Sequence, residues 1–273
     1  MARVPRGDGL PPARKRFGQH FLRDASVLDA IVEALGPLEG RTVVEIGPGR
    51  GVLTDRLAER AGKLIAIEVD RDLVTALRTR YALQPHVHIV EADVLNVSLG
   101  DIAGESYVLA GNVPYYITTP ILFHALEAPR PDVAVYLVQR EVAERMAAPP
   151  GDKTYGALSV NLQALSHVEF IRHVPPGAFV PPPKVDSAVV RVTPRAERVI
   201  APELEKRFRG VVTASFGLRR KQLLRVVRTI AALEAAEAEA VLEQAALRPD
   251  VRPETLSPED FARLVTVLAG RDG

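Results

Sequence analysis

Residues Gly111-Asn112-Val113-Pro114-Tyr115-Tyr116 bring an amide, a rigid turn and an aromatic face together directly after an apolar run, Tyr107 to Ala110. Pro114 fixes its own φ and biases Val113 towards extended backbone, so the Asn112 side-chain oxygen and nearby carbonyls can be aimed at one point while Tyr115 offers a stacking surface. That arrangement suits an exocyclic amino group on a flat ring such as adenine. Taken alone, Asn-x-Pro-Tyr is equally a β-turn that closes a buried strand. The residues at the ends of the preceding strands decide between the two.

The strand Thr42 to Ile46 runs into Gly47-Pro48-Gly49-Arg50-Gly51, whose glycines let backbone approach a ligand closely and open a helix. The next strand ends at Glu68, where a carboxylate can accept both hydrogen bonds of a ribose diol. The third ends at Glu91-Ala92-Asp93, where Asp93 can accept from an adenine amino group. Each carboxylate alone reads as a solvated strand end; in succession they describe a nucleoside-shaped ligand. A dinucleotide calls for G-x-G-x-x-G and a helix N-terminus for its pyrophosphate. Here the spacing is Gly47-x-Gly49-x-Gly51, and Glu45 before the loop suits an ammonium and a sulfonium, so S-adenosylmethionine is the expected cofactor. The six histidines show no metal spacing and no metal is expected. Zero cysteines exclude disulfides, thiolate catalysis and Cys-ligated metal.

The elements that must position these residues alternate in type. Helical patterns at Ala25 to Leu35, after Gly51 to about Ala61, and at Asp72 to Arg80 separate strands at Thr42 to Ile46, Leu64 to Glu68, Val87 to Ala92 and Tyr107 to Ala110. Ala134 to Val138, Val168 to His173 and Ala188 to Thr193 read as later strands, with helices at Glu141 to Ala147 and Leu158 to Leu165. The expected fold class is α/β, a Rossmann-like doubly wound parallel sheet, with a smaller all-helical C-terminal domain. The period changes at about residue 201, so the expected parts are a flexible basic tail at 1–13, a cofactor-binding domain at 14–195 and a helical domain at 201–273, with the linker running from Thr193-Pro194 to Ala201-Pro202.

A chain of 273 residues with 47% hydrophobic and 25% charged residues reads as soluble and globular. It has no apolar run of membrane-spanning length and no export signal, so a cytoplasmic protein is expected. The net charge of +1 conceals two basic patches. Arg3, Arg6, Arg14, Lys15, Arg16 and Arg23 face only Asp8 in the first 23 residues; Lys206, Arg207, Arg209, Arg219, Arg220, Lys221, Arg225 and Arg228 face only Glu203 and Glu205 in residues 203–230. Both are candidate phosphate contacts, and either would equally serve as a solvated face.

The chain resembles the ribosomal RNA adenine N6-dimethyltransferase family, in particular its bacterial small-subunit branch, from Arg14 to about Leu268. The resemblance rests on Arg16-Phe17-Gly18-Gln19-His20-Phe21-Leu22, Val44-Glu45-Ile46-Gly47-Pro48-Gly49, Asn112-Val113-Pro114-Tyr115-Tyr116 and Phe179-Val180-Pro181-Pro182-Pro183-Lys184-Val185-Asp186-Ser187-Ala188-Val189. The family often has Leu where Val113 stands and accepts Asn or His at His20. The resemblance implies S-adenosylmethionine-dependent transfer of four methyl groups to the N6 atoms of two adjacent adenosines near the 3′ end of 16S rRNA, in the 30S particle. It implies that Gln19, His20 and Leu22 close over the methionine end of the cofactor, that Gly47 and Gly49 line it, that Glu68 holds the ribose, and that Asp93 with Val94 meets the adenine. Asn112 and the Pro114 carbonyl would receive the target amino group, with Tyr115 and Phe179 sandwiching the base. In an unknown protein the proline-rich stretch after Phe179 is equally a polyproline connector with one packed aromatic.

Arg219-Arg220-Lys221, with Arg225, reads as a helix whose basic face tracks rRNA phosphates. The family's small helical domain helps to dock on the small subunit, and a monomer is expected. Three other readings compete: an assembly factor acting mainly by binding, a 23S rRNA methyltransferase of the macrolide-resistance type, and a small-molecule or DNA amino methyltransferase.

Overall fold

The computed structural model describes Arg14 and residues 19–271. The expected basic tail at 1–13, and Lys15, Arg16, Phe17 and Gly18 of the N-terminal patch and motif, lie outside the described residues. The chain forms two compact units, one of residues up to Ala143 together with Val168–Pro194, the other of Glu144–His167 together with Arg195 onwards.

In the first unit β1 (Phe21–Leu22) leads to α1 (Ala25–Leu35), β2 (Thr42–Ile46), α2 (Val52–Ala58), β3 (Lys63–Glu68), α3 (Arg71–Arg80), β4 (Val87–Glu91), α4 (Leu99–Ala103), β5 (Val108–Asn112), α5 (Thr118–His124) and β6 (Val133–Gln139). Beyond α6 (Arg140–Ala147) and α7 (Ala157–Gln163) follow β7 (Ser166–Val174), β8 (Phe179–Val180) and β9 (Ser187–Pro194). The seven long strands lie in the order β4-β3-β2-β5-β6-β9-β7. From β2 the chain winds outward through β3 to β4, then returns to place β5 on the other side of β2. β2 is parallel to both β3 and β5. The order therefore reverses between β2 and β5, where an open α/β sheet forms its crevice at the carboxyl ends of the strands.

The central strands are apolar on both faces because helices cover both: Val43, Val44, Leu64, Val108, Leu109 and Ala110 are fully buried. α1 covers one face with Val27, Leu28, Ile31, Val32 and Leu35, whose spacing follows one side of a helix. Asp24 caps it by accepting from the amides of Ser26 and Val27, and Gly36, at φ +80°, ends it.

Two features differ from the sequence expectation. β9 runs antiparallel to β6, with Tyr136 opposite Val190, so the sheet is mixed at this side. An apolar strand buried on both faces reads the same in either direction, which is why its sense is not visible in the residues. The second difference is β1, which pairs antiparallel with β8, setting Phe21 opposite Val180 and Leu22 opposite Phe179. Two motifs more than 150 residues apart are thereby joined.

The second unit contains α7, α8 (Glu205–Gly217), α9 (Leu223–Ala231), α10 (Ala235–Gln244) and α11 (Pro258–Ala269). Its core gathers Tyr155, Val160 and Ala164 with Phe208, Val226 and Phe261. This corrects the expected division, which placed all of 14–195 in one domain: residues 144–167 belong with the helical part. The Tyr155 hydroxyl donates to the Leu256 carbonyl at 2.8 Å, Gly151 N donates to Glu254 O at 2.7 Å, and Arg195 Nε donates to Gln163 O at 2.7 Å. A helix's apolar stripe announces that it packs, not on which core. Tyr155→Ala should cost about 3–5 kcal/mol. Hydrogen exchange should show protection lost across α8 to α11 while β2, β3 and β5 keep theirs; loss confined to the sheet would contradict the reassignment.

Candidate active site

At the β2–β5 switch two stretches of backbone run close together. Ile46 pairs with Gly111, which sets Gly47 beside Asn112. Gly47 has φ +69°, and a Cβ there would stand 3.3 Å from the Asn112 carbonyl oxygen. Gly49 has φ +57°, and a Cβ would meet the Phe21 ring at 3.0 Å. Both positions need the left-handed region as well as the space, so glycine is required twice over. Gly51 begins α2, and the buried Tyr81 hydroxyl donates to Asp55 at 2.7 Å, with the Gly51 carbonyl 3.1 Å away.

Glu68 holds this loop from β3. Its Oε2 accepts from Gly49 N at 3.2 Å, and its Oε1 accepts from Val69 N and Asp70 N at 2.9 Å each. Burial nevertheless raises its carboxyl above the usual range, with the three amides pulling the other way. Asp70, 1% exposed, caps α3 and receives Arg14 Nη1 at 2.8 Å and Gln19 Nε2 at 3.2 Å. Arg14 also pairs with Asp72, and its amide donates to Gln19 Oε1 at 2.7 Å. Asp70 is not among the residues that the sequence singles out. Its second task depends on residues more than 50 positions away, which nothing local announces.

The cavity enclosed by these elements has a volume of about 250 Å³. Among the expected site residues Gln19, His20, Leu22, Glu45, Gly47 and Gly49 line it, as do Glu68, Asp93, Val94, Asn112, Pro114 and Tyr115. Asp93 is exposed and accepts from Leu95 N at 3.0 Å, beside the buried Val94. Glu45 is 1% exposed, and its Oε2 has no hydrogen-bond partner. Burial pushes its carboxyl up to about 8; the Thr54 hydroxyl opposes the rise, and Glu68 and Asp55 add to it. A buried carboxyl with an unpartnered oxygen at the wall of a cavity is neutral when the cavity is empty and ionises beside a cationic ligand.

Asn112 Nδ2 donates to the His20 carbonyl at 3.1 Å, which orients the amide and leaves Oδ1 unclaimed among the described residues. The Pro114 carbonyl already accepts from Thr118 Oγ1 at 3.2 Å and from Ile117 N at 3.2 Å. The Tyr115 hydroxyl meets Ser187 Oγ at 2.5 Å, and its ring stacks with the His20 imidazole. Phe179 departs from the expected sandwich. It is 2% exposed, sits in the apolar core through the β1–β8 pairing, and is not part of the cavity wall.

The expected basic helix face is a turn, since residues 218–222 lie between α8 and α9. Arg219 is committed within its own unit, donating through Nε to Glu254 at 2.6 Å and through Nη2 to the Lys153 carbonyl at 3.1 Å. Arg220, Lys221 and Arg225 are exposed, with no ion pair among the described residues. No helix among the described residues is long and apolar enough to cross a membrane.

The Glu45 carboxyl raised in the folded state stabilises the protein below the unfolded value near 4.5, and that contribution is lost as pH rises through about 8. Thermal melts of Glu45→Gln against the unaltered protein at pH 5, 7 and 9 should show the variant gaining relative stability with each step up to about 8, by a few kcal/mol at most. A constant difference across the range would contradict the buried, protonated carboxyl.

The sequence profile of the ribosomal RNA adenine dimethylases matches residues 12–269. The chain is 47% identical over 258 residues to the ribosomal RNA small subunit methyltransferase A of Xanthomonas campestris pv. campestris strain B100, covering 94% of this chain and 96% of that one. It is 48% identical over 259 residues to the protein of the same name from Xanthomonas euvesicatoria pv. vesicatoria, with the same coverage. Among solved structures, a dimethyladenosine transferase from Plasmodium falciparum superposes with a TM-score of 0.81 at 25% identity, covering 93% of this chain and 98% of that one. The 23S rRNA methyltransferase ErmE superposes with a TM-score of 0.73 at 30% identity, covering 91% and 99%.

Proposed function

The chain belongs to the ribosomal RNA adenine dimethylase family, and from that premise we propose that it uses S-adenosylmethionine to dimethylate N6 of two adjacent adenosines in the 3′-terminal hairpin loop of 16S rRNA within the 30S particle. It is a methyltransferase with a Rossmann-like fold. The small-subunit substrate is favoured over 23S rRNA because the identity to the small-subunit enzymes, 47–48%, exceeds the 30% to ErmE. A cytoplasmic monomer acting on a large RNA surface completes the reading.

The cavity fits the cofactor on this chain's own terms. Gly47 and Gly49 clear space that a Cβ would fill, and Glu45 offers a buried oxygen without a partner. When bound, S-adenosylmethionine supplies an electrophilic methyl on a sulfonium. Glu45 would balance the cofactor's positive charge, Glu68 would accept from its ribose, and Asp93 with Val94 would border its adenine.

The single observation that carries the reaction is the Asn112 amide. Its nitrogen is held by the His20 carbonyl, so its oxygen is directed to accept from an amino group. Accepting an amino hydrogen turns the nitrogen lone pair towards the methyl, and alignment is where most of the acceleration arises. The target base must leave its stack, at a cost of a few kcal/mol that stacking on Tyr115 helps to offset. Water can take the proton released from the methylated nitrogen, so no general base is required.

Asn112→Ala should reduce label transfer from S-adenosylmethionine to unmethylated 30S particles by roughly 100-fold or more, while cofactor affinity changes far less. Unchanged transfer would remove Asn112 from the reaction. Specificity for the particle would reside in RNA shape and phosphates, to which Arg220, Lys221 and Arg225 are open. Replacing Arg220 and Lys221 with Ala should weaken particle binding and reduce the logarithmic salt slope by about 2, one for each lost contact. Arg219→Ala should instead lower the melting temperature, because its partners lie within the fold.

A further inference from the structure

We infer that the Tyr116 ring is a stacking platform at the mouth of the cavity for the base next to the target, so that the site receives two neighbouring nucleotides at once; this rests on the adenine-methylating reading above. Tyr116 borders the cavity, yet it is 63% exposed. Its hydroxyl makes no hydrogen bond and its ring has no aromatic neighbour among the described residues. Tyr115 beside it is half-buried and tied through its hydroxyl to Ser187. The fold uses one ring of the pair and leaves the other open to solvent.

The local backbone explains the difference. Residues 115–117 form a turn of 3-10 helix, in which Ile117 N donates to the Pro114 carbonyl at 3.2 Å and Thr118 Oγ1 donates to the same oxygen at 3.2 Å. Three residues per turn set consecutive side chains about 120° apart, so two rings one residue apart face different ways. Tyr115 is turned towards the start of β9, where Ser187 stands, and Tyr116 is turned outward. Among the described residues the exposed Phe and Tyr rings are Tyr116 and Phe170, and Phe170 does not line the cavity.

Two adjacent adenosines present two bases on one stretch of backbone. Drawing one of them into the cavity removes a stacking partner from the other, and a face of that second base is left against water. An aromatic ring at the mouth supplies a new partner, because every base offers a π-face. The two neighbouring tyrosines, aimed apart, match two neighbouring bases that have been splayed.

Steady-state transfer of label from S-adenosylmethionine to unmethylated 30S particles tests the platform, with calorimetric cofactor binding and thermal melts alongside. Tyr116→Ala should raise KM for the particle roughly tenfold, the size of one lost stacking contact. Cofactor affinity should stay within about twofold and the melting temperature within about two degrees, since the ring is exposed. Tyr116→Phe, which keeps the face without the hydroxyl, should restore KM. Particles in which one adenosine of the pair is replaced by guanosine or by uridine keep one target and change its neighbour. The unaltered protein should favour the better-stacking guanosine over uridine several-fold in kcat/KM at one or both positions, and Tyr116→Ala should lose that preference. An unchanged KM in Tyr116→Ala, failure of Phe to restore it, a melting temperature lowered by several degrees, no preference in the unaltered protein, or a preference that survives loss of the ring would each overturn the platform. Absence of label from the unaltered protein on unsubstituted particles would overturn the reaction itself, and the platform with it.

Discussion

The site is organised around a place where two parallel strands end and their backbones come close enough that a Cβ would be tightly packed. At the carboxyl ends of β2 and β5, Gly47 passes the Asn112 carbonyl at a distance that leaves no room for a Cβ without displacement. That approach sets the Gly47–Gly51 loop against the strand that carries Asn112. Glu68 stabilises the approach from the other side by accepting from Gly49 N in that loop and from Val69 N and Asp70 N after β3, and Asp70 extends the same set of bonds to Arg14 and Gln19. The cavity is what this arrangement encloses.

Its electrostatics follow from the same geometry. Packing β2 in the centre of the sheet buries Glu45 beside a second carboxylate, so the wall carries acids that resist ionising. A cationic ligand relieves that burial, and a neutral or anionic one does not. The polar groups of the acceptor side are treated differently. Asn112 and Tyr115 are each tied by a hydrogen bond to a fixed partner, so their remaining surfaces are oriented before any base arrives.

Much of this was legible in the residues. Glu45, Glu68, Asp93 and Asn112 lie at the ends of successive strands, and apolar runs separated by helical patterns locate those ends without a structure. The left-handed glycines at 47 and 49 likewise announce a close approach. What the pattern does not contain is long-range pairing. The join of Leu22 to Phe179, which buries the expected stacking ring, is a two-residue antiparallel contact with no periodic signature. The membership of residues 144–167 in the helical unit and the capture of Arg219 by Glu254 depend on tertiary neighbours in the same way. Basic residues in a cluster do not reveal which of them the fold has already used.

The central claim is that the close passage of β2 and β5 builds the cofactor site, and the most direct measurement is calorimetric binding of S-adenosylmethionine to Gly47→Ala. A Cβ at that position forces the loop from Asn112, and the left-handed backbone adds strain of about 1–2 kcal/mol. The account predicts binding weakened at least about tenfold in a protein that still unfolds cooperatively, a few degrees below the unaltered chain. Undiminished binding in the folded variant would contradict it.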